Sequence, residues 1–227
     1  MSDTTDELNR VLLDITSLER RSSLITSRID NGIVRLPTMI TTNEIIYVSS
    51  ITLYYDLSNL VHDDIKTVII GRSFEIELPF RSTVDDTIAI PNVTTLSVNI
   101  VGNQFILDKL DLNRLFPSLT TWVISTACFF EYYMNALVRI VKQVACRRLV
   151  ILFNEAELID NDFMINLALG LIDNKYTKEL ALINTKPNRI AMVRVGGAVF
   201  NGISIRLRGA YLVGMKKCQG LGNVSQL

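Results

Sequence analysis

The residues with the clearest chemical potential are one histidine and the carboxylates beside it. His62 is the only histidine among 227 residues, and it directly precedes Asp63 and Asp64. Histidine can act as a base or ligate a metal. Neighbouring aspartates, however, point to opposite faces of a strand and diverge on a helix. The sequence contains no nucleophile elbow and no histidine-containing metal motif. We therefore interpret His62 as a solvated residue beside a turn and expect no hydrolytic or redox activity that depends on it.

A second acidic group follows the apolar run "RLVILF" and consists of Glu155, Glu157, Asp160 and Asp162. Loops after the strands of α/β proteins bind ligands, and carboxylate oxygens suit hard cations. Acidic residues are also favoured in the first turn of a helix, which is the interpretation we prefer. Gly196-Gly197 lacks the GxGxxG spacing, and no Walker lysine follows it. The sequence thus predicts no catalytic residue, no metal site and no cofactor.

Composition restricts the class of protein and its partners. Lys+Arg and Asp+Glu are equal at 23 each, so the basic excess typical of nucleic-acid binding is absent. Hydrophobic residues make up 48%, enough for a sizeable core.

Cys128, Cys146 and Cys218 have no CxxC spacing, which favours buried thiols in a reducing compartment, with a Cys218 bridge between chains as the alternative. The polar start and the lack of a long apolar run predict neither a secretory signal nor a membrane span. We expect a cytoplasmic or other intracellular protein.

One sequence pattern occurs repeatedly along the chain. "IPNVTTLSV" at 90–98 is echoed by "FPSLTTWVIS" at 116–125. The frame apolar-x-x-apolar-x-apolar extends this match to six copies, 23–31 residues apart, whose central residues are Val68, Leu96, Trp122, Leu149, Leu180 and Ile203. Each copy is a short apolar run typical of a strand. Segments between copies have helical periodicity, at 103–116, 128–146 and 159–176, with Asn174 near the last helix's end. Parallel strands joined by helical crossovers are predicted, and the six central residues should form one apolar ladder.

The copies resemble the leucine-rich repeat family over about residues 65–208. The best match is "CRRLVILFNEA", in which Asn154 occupies the position of that family's ladder asparagine. The resemblance implies a parallel-sheet solenoid of about six βα-type repeats. At the equivalent position the other copies carry Ser73, Val101, Ala127, Thr185 and Arg208, so looser turns are expected. An ordinary parallel α/β sheet with units of 25–30 residues is the alternative.

The residues between the frame positions predict a sheet that is apolar on its second face as well. Those residues are Ile69, Ile100, Val123, Val150, Leu152, Phe153, Ala181, Ile183 and Leu207. Strands that are apolar on both faces are typical of parallel sheets covered on both sides. We expect this face to be covered, either by residues 1–60 or by a partner molecule.

Residues 1–60 supply the candidate cover. A capping-box pattern at Thr4-x-x-Glu7 precedes a heptad seam that includes Leu8, Ile15, Leu18 and Ile25. This predicts an amphipathic helix, packed on its own domain or on another chain. Asn31-Gly32 then leads into a β-rich segment that we interpret as a hairpin or an edge structure.

Together these patterns predict a segment at 1–60 for covering or association, a repeat α/β domain at 61–213 and a polar arm at 214–227. The predicted function is a non-enzymatic protein–protein interaction or self-assembling structural protein, with another protein or a second copy as partner. Alternatives are a viral shell, matrix or lattice protein, and a small α/β enzyme or ligand binder with carboxylates at strand ends. The predicted interaction residues are Leu8, Ile15, Leu18, Ile25, Ile100, Leu152, Phe153, Ile183 and Arg206.

Overall fold

The structure is a computed structural model of the chain. It describes residues 17, 39–41, 44–48, 64–71, 89–99, 111–126, 131–153, 158–159, 161–184, 191–194, 200, 202–208, 210–213 and 224–226, and the statements below concern these residues. The predicted N-terminal helix with Leu8, Ile15, Leu18 and Ile25 lies outside them. So do His62, Ile100, Asn154, the carboxylates at 155, 157 and 160, and Cys128 and Cys218.

Nine strands form the main sheet, and their order in the sheet follows their order in the chain. They are β1 (Met39–Thr41), β2 (Ile45–Val48), β3 (Thr67–Ile70), β4 (Thr95–Asn99), β5 (Thr121–Thr126), β6 (Arg148–Phe153), β8 (Glu179–Asn184), β10 (Ser204–Arg208) and β12 (Val224–Gln226). Only β1 pairs antiparallel to its neighbour, β2, and the other pairs are parallel. The predicted α/β class with a parallel sheet is therefore confirmed, and an antiparallel pair lies at the edge where a hairpin was expected.

Three further strands form a second parallel sheet, in the order β11 (Ala210–Val213), β9 (Ala191–Arg194) and β7 (Leu158–Ile159). Each of them follows one strand of the main sheet in the chain. This second sheet was not predicted, because its strands are only two to four residues long and carry too little pattern to identify.

The described helices are α1 (Leu112–Leu115), α2 (Glu131–Gln143) and α3 (Asn161–Ile172). Helices α2 and α3 fall within two of the predicted helical segments, and they pack against each other. Gly170 permits this close approach, because a Cβ atom there would lie 3.1 Å from the Val138 carbonyl oxygen and 3.2 Å from Val141 Cγ1. Helix α1 is capped by Asp111, whose Oδ1 accepts hydrogen bonds from the amides of Asn113 and Arg114.

The predicted ladder is confirmed at five of its six positions. Val68, Leu96, Trp122, Leu149 and Leu180 lie opposite one another on successive strands, and all are buried. The sixth member is wrong, since Leu180 pairs with Ile205 and not with Ile203. The reason is Gly202, which occupies the first frame position of this copy with a φ of 70°. A glycine at that position breaks the apolar frame. The predicted copy was consequently centred on Ile203, two residues before the true central residue, Ile205.

The same alternation corrects two assignments to the second face. Phe153 and Leu207 belong to the main core, together with the ladder residues and the inner sides of α2 and α3. Leu152 and Phe153 are consecutive strand residues, so they cannot both lie on one face. Leu207 changes face because the register of β10 is set by Ile205.

A hydrogen-bond pattern recurs at the N-terminal edge of the strands and explains the repeated Thr-Thr. The Lys66 carbonyl accepts from the amides of Thr94 and Thr95, at 2.9 and 3.0 Å. The Thr94 carbonyl likewise accepts from Thr120 and Thr121, at the same two distances. In addition, the Thr120 hydroxyl donates to the Thr94 carbonyl at 3.1 Å. Threonine suits these positions because it favours strands and its hydroxyl adds a bond to the same carbonyl.

Replacing a central ladder residue should measurably destabilise the protein. Leu149 is 1% exposed, so Leu149→Ala removes buried methyl groups and leaves a cavity. We expect a loss of about 2–5 kcal/mol in the free energy of unfolding, measured by urea denaturation. The volume-conserving control Leu149→Met should cost less than about 1.5 kcal/mol. Equal losses from the two variants would contradict this assignment.

Candidate functional site

The second face of the main sheet is buried within the chain. Its apolar residues Ile69, Val123, Val150, Leu152, Ala181 and Ile183 are each at most 3% exposed, and none of them belongs to the main core. The expectation that this face is covered is thus confirmed for these positions. The proposed cover by residues 1–60 falls almost entirely outside the described residues. Leu152 and Ile183 are consequently not solvent-facing, and their predicted interaction role stays a prediction.

One edge row of this second face is polar. The register places Thr67, Thr95 and Thr121 on adjacent strands, followed by Arg148 and Glu179. All three threonines are buried. The row therefore changes from neutral hydroxyls to charges where β6 begins.

An ion-pair cluster of Arg148, Glu179 and Arg206 holds these charges. Arg148 Nε lies 3.2 Å from Glu179 Oε2, and Arg206 Nε lies 2.9 Å from Glu179 Oε1. The three side chains are only 11–20% exposed. The contacts are ion pairs without the alignment of good hydrogen bonds. Poorly hydrated charges require partners, and Glu179 is such a partner for Arg206. The predicted role of Arg206 as an interaction residue stays a prediction.

Exposed apolar side chains are concentrated on α3 and the turn that follows it. Within the described residues, the exposed large hydrophobics are Leu169 (49%), Ile172 (64%) and Tyr176 (50%). Ile165 lies one turn earlier and is partly buried against the core. These four residues, spaced by three and four, are called the α3 patch. The α3 patch was not predicted, although the sequence carries a signal for it: α3 is apolar on nearly every side, whereas a surface helix normally has a polar outer face.

A groove of about 230 Å³ adjoins the α3 patch. Leu171, Phe200 and Ile203 form its buried floor. Lys175 and Lys178, both exposed, stand on its rim. The groove therefore combines an apolar base with positive charge at its mouth.

Asn174 fixes the turn that carries this rim. Its side-chain nitrogen donates to the carbonyls of Val141 and Val144, at 2.6 and 2.9 Å. Its side-chain oxygen accepts from the amides of Tyr176 and Thr177, at 2.9 and 3.1 Å. One buried side chain therefore satisfies four backbone groups, two at the C-terminal end of α2 and two in the turn after α3. Through Asn174, the end of α2 determines where Tyr176 lies.

The thiol of Cys146 is buried beside this turn. Its sulfur lies 3.9 Å from Thr177 Oγ1, and the Thr177 hydroxyl donates to the Cys146 carbonyl at 3.0 Å. Burial raises the pKa of the thiol to about 11. The predicted buried free thiol is confirmed for Cys146, and a protonated thiol in this position is not a nucleophile at neutral pH.

The acidic group that the sequence suggested is only partly described. Asp162 is exposed in the first turn of α3, where acidic residues interact favourably with the helix dipole. Among the described residues, no three His, Cys, Asp or Glu side chains come together as a metal site would require. Within the same part of the chain, no helix has the length and apolarity needed to cross a membrane.

Comparison with known proteins gives no relative: no family model, no curated protein and no solved structure matches this chain.

Removing the shared carboxylate of the ion-pair cluster should destabilise the fold. Glu179→Gln removes the negative charge that Arg148 and Arg206 share, and we expect a loss of about 2–4 kcal/mol in the free energy of unfolding, measured by urea denaturation. The exposed pair Lys142–Asp173 supplies the control, since Lys142 is 43% and Asp173 67% exposed. Lys142→Met should cost at most about 1 kcal/mol. A Glu179→Gln loss no larger than that of the control would contradict the cluster's structural role.

The buried thiol makes stability depend on alkaline pH. The Cys146 pKa rises from 9.0 to about 11 on folding, so the folded state retains the proton more strongly. The contribution of the protonated thiol to the free energy of unfolding is fully present below pH 9. It is lost as the pH rises toward 11, and the total loss is about 3 kcal/mol. Urea denaturation across this range should therefore show a steeper decline for the native protein than for Cys146→Ala. Parallel pH profiles would contradict the prediction.

Proposed function

We propose that this protein is a non-enzymatic interaction or self-assembly module, and that the α3 patch is its contact surface. The observation that carries the proposal is the clustering of Leu169, Ile172 and Tyr176, three exposed large hydrophobics within eight residues. Scattered exposed apolar residues are normal on soluble proteins. A concentrated group beside a groove is typical of an interaction site.

The scaffold for this surface would be a solenoid of stacked βα repeats, as the leucine-rich-repeat resemblance implies. Three features support this interpretation. The strands of the main sheet are arranged in chain order, with ladder residues 25–31 residues apart from Val68 to Ile205. The hydrogen-bond pattern at the strand edge recurs from copy to copy. Strands of the second sheet follow β6, β8 and β10 in turn. Solenoids of this kind form extended binding surfaces.

A viral shell, matrix or lattice protein would be a special case of self-assembly, distinguished by particles much larger than a dimer. We further propose a cytoplasmic or other intracellular location, since a reducing compartment suits the free, buried Cys146.

The test combines the mass in solution with capture of partners. The full chain and its Ile172→Asp variant are compared by light scattering and by affinity capture from extracts of the source cells. Ser118→Asp, at an exposed position outside the α3 patch, is the control. We expect the native chain and the control to associate with a second copy or another protein, and Ile172→Asp to lose that association while keeping its urea midpoint. Association that is unchanged in Ile172→Asp, or absent from the native chain, would overturn the proposal.

A further inference from the structure

We infer that the partner of the α3 patch is a second copy of this chain, with the two α3 helices packed antiparallel about a two-fold axis. This inference rests on the proposed function, because it names the partner of the same surface. Two observations carry it: the shape of the apolar stripe and the distribution of charge at its two ends.

The apolar stripe is compatible with two-fold symmetry. Ile165, Leu169 and Ile172 lie on one side of α3 and extend over roughly 10 Å, at 1.5 Å per residue. An axis that passes between Ala168 and Leu169 places Ile165 of one chain opposite Ile172 of the other. The same pair recurs on the other side of the axis, so one surface provides both halves of the contact.

Charge at the two ends of α3 is opposite in sign. At the N-terminal end Asp162 is exposed, and in the sequence Glu157 and Asp160 precede it closely. At the C-terminal end Lys175 and Lys178 are exposed in the turn that follows the helix. Asp173, also at this end, already pairs with Lys142 at 3.6 Å. The α3 patch is therefore bordered by a negative end and a positive end.

Only an antiparallel pair brings these unlike ends together. With the axis between Ala168 and Leu169, Asp162 of each chain faces Lys175 of the other, and the helix dipoles are also opposed. A parallel pair would place Asp162 against Asp162 and Lys175 against Lys175. An acidic peptide would complement the lysines but not Asp162. A second copy is thus the partner that satisfies both ends.

The contact involves one helix of 12 residues and the adjoining turn from each chain, which is small for a protein interface. We therefore expect a reversible dimer that dissociates on dilution. Light scattering and sedimentation velocity on a dilution series of the full chain should show a mass that rises from 25.6 kDa toward twice that value.

Charge-reversed variants test the arrangement. Asp162→Lys and Lys175→Asp each create two like-charge contacts in the antiparallel dimer, and each should weaken dimerisation by about tenfold or more. Mixing the two variants should restore it, because both contacts of the mixed dimer are again between opposite charges. Ser118→Lys is the control and should dimerise as the native chain does. Urea denaturation of each variant alone establishes that it is folded. The mixing experiment then uses the same two variants without any further substitution.

The outcomes separate this inference from the proposed function. Restoration on mixing supports the antiparallel dimer. Failure to restore it, or a native chain that stays monomeric at every concentration, overturns the second-copy inference. If such a monomer still captures another protein that Ile172→Asp loses, the proposed function stands and only the identity of the partner is wrong. If it captures nothing, both are overturned.

Discussion

The register between parallel strands is the constraint on which the rest of the structure depends. At the N-terminal edge of the sheet, a carbonyl beside one strand often accepts hydrogen bonds from two amides beside the next strand. The Lys66 carbonyl accepts from Thr94 and Thr95, and the Arg147 carbonyl accepts from Lys178 and Glu179. Hydrogen bonds between parallel strands are evenly spaced along the strands. Once the first bond at this edge is formed, each later residue therefore has a fixed neighbour on the next strand. A slip of one residue would exchange the two faces of a strand completely.

The two faces meet this constraint by different means. On the core face, ladder residues such as Leu96 and Trp122 pack with apolar helix residues. The second face includes buried polar residues, among them Thr95, Ser97 and Thr121, as well as charged ones. The charges of Arg148, Glu179 and Arg206 lie on adjacent strands at distances that the register imposes. Charges at these positions are tolerated because the fixed register guarantees each of them its counter-charge.

Sequence periodicity predicted the six strands β3, β4, β5, β6, β8 and β10, the parallel class and five ladder positions, because these features repeat and each copy supports the others. It failed at the last copy, where Gly202 replaces an apolar residue and the backbone turns at positive φ. It also missed the second sheet, whose strands are too short to show alternation. At the candidate site, the pattern predicted a helix ending near Asn174 but not the exposure of Ile172. Exposure is decided by which side of α3 faces α2, and a helix that is apolar all round does not reveal this in its sequence.

The orientation of α3 is determined from its inner side, and this links the core to the surface. Gly170 lets α2 approach closely, and Asn174 binds the turn after α3 to the last carbonyls of α2. Both contacts act on the side of the helix away from Leu169 and Ile172. With the inner side held at two points about one turn apart, α3 cannot rotate to bury its apolar outer residues without breaking satisfied hydrogen bonds. The packing that completes the core is therefore the same packing that leaves the α3 patch in water, where the hydrophobic effect favours a partner.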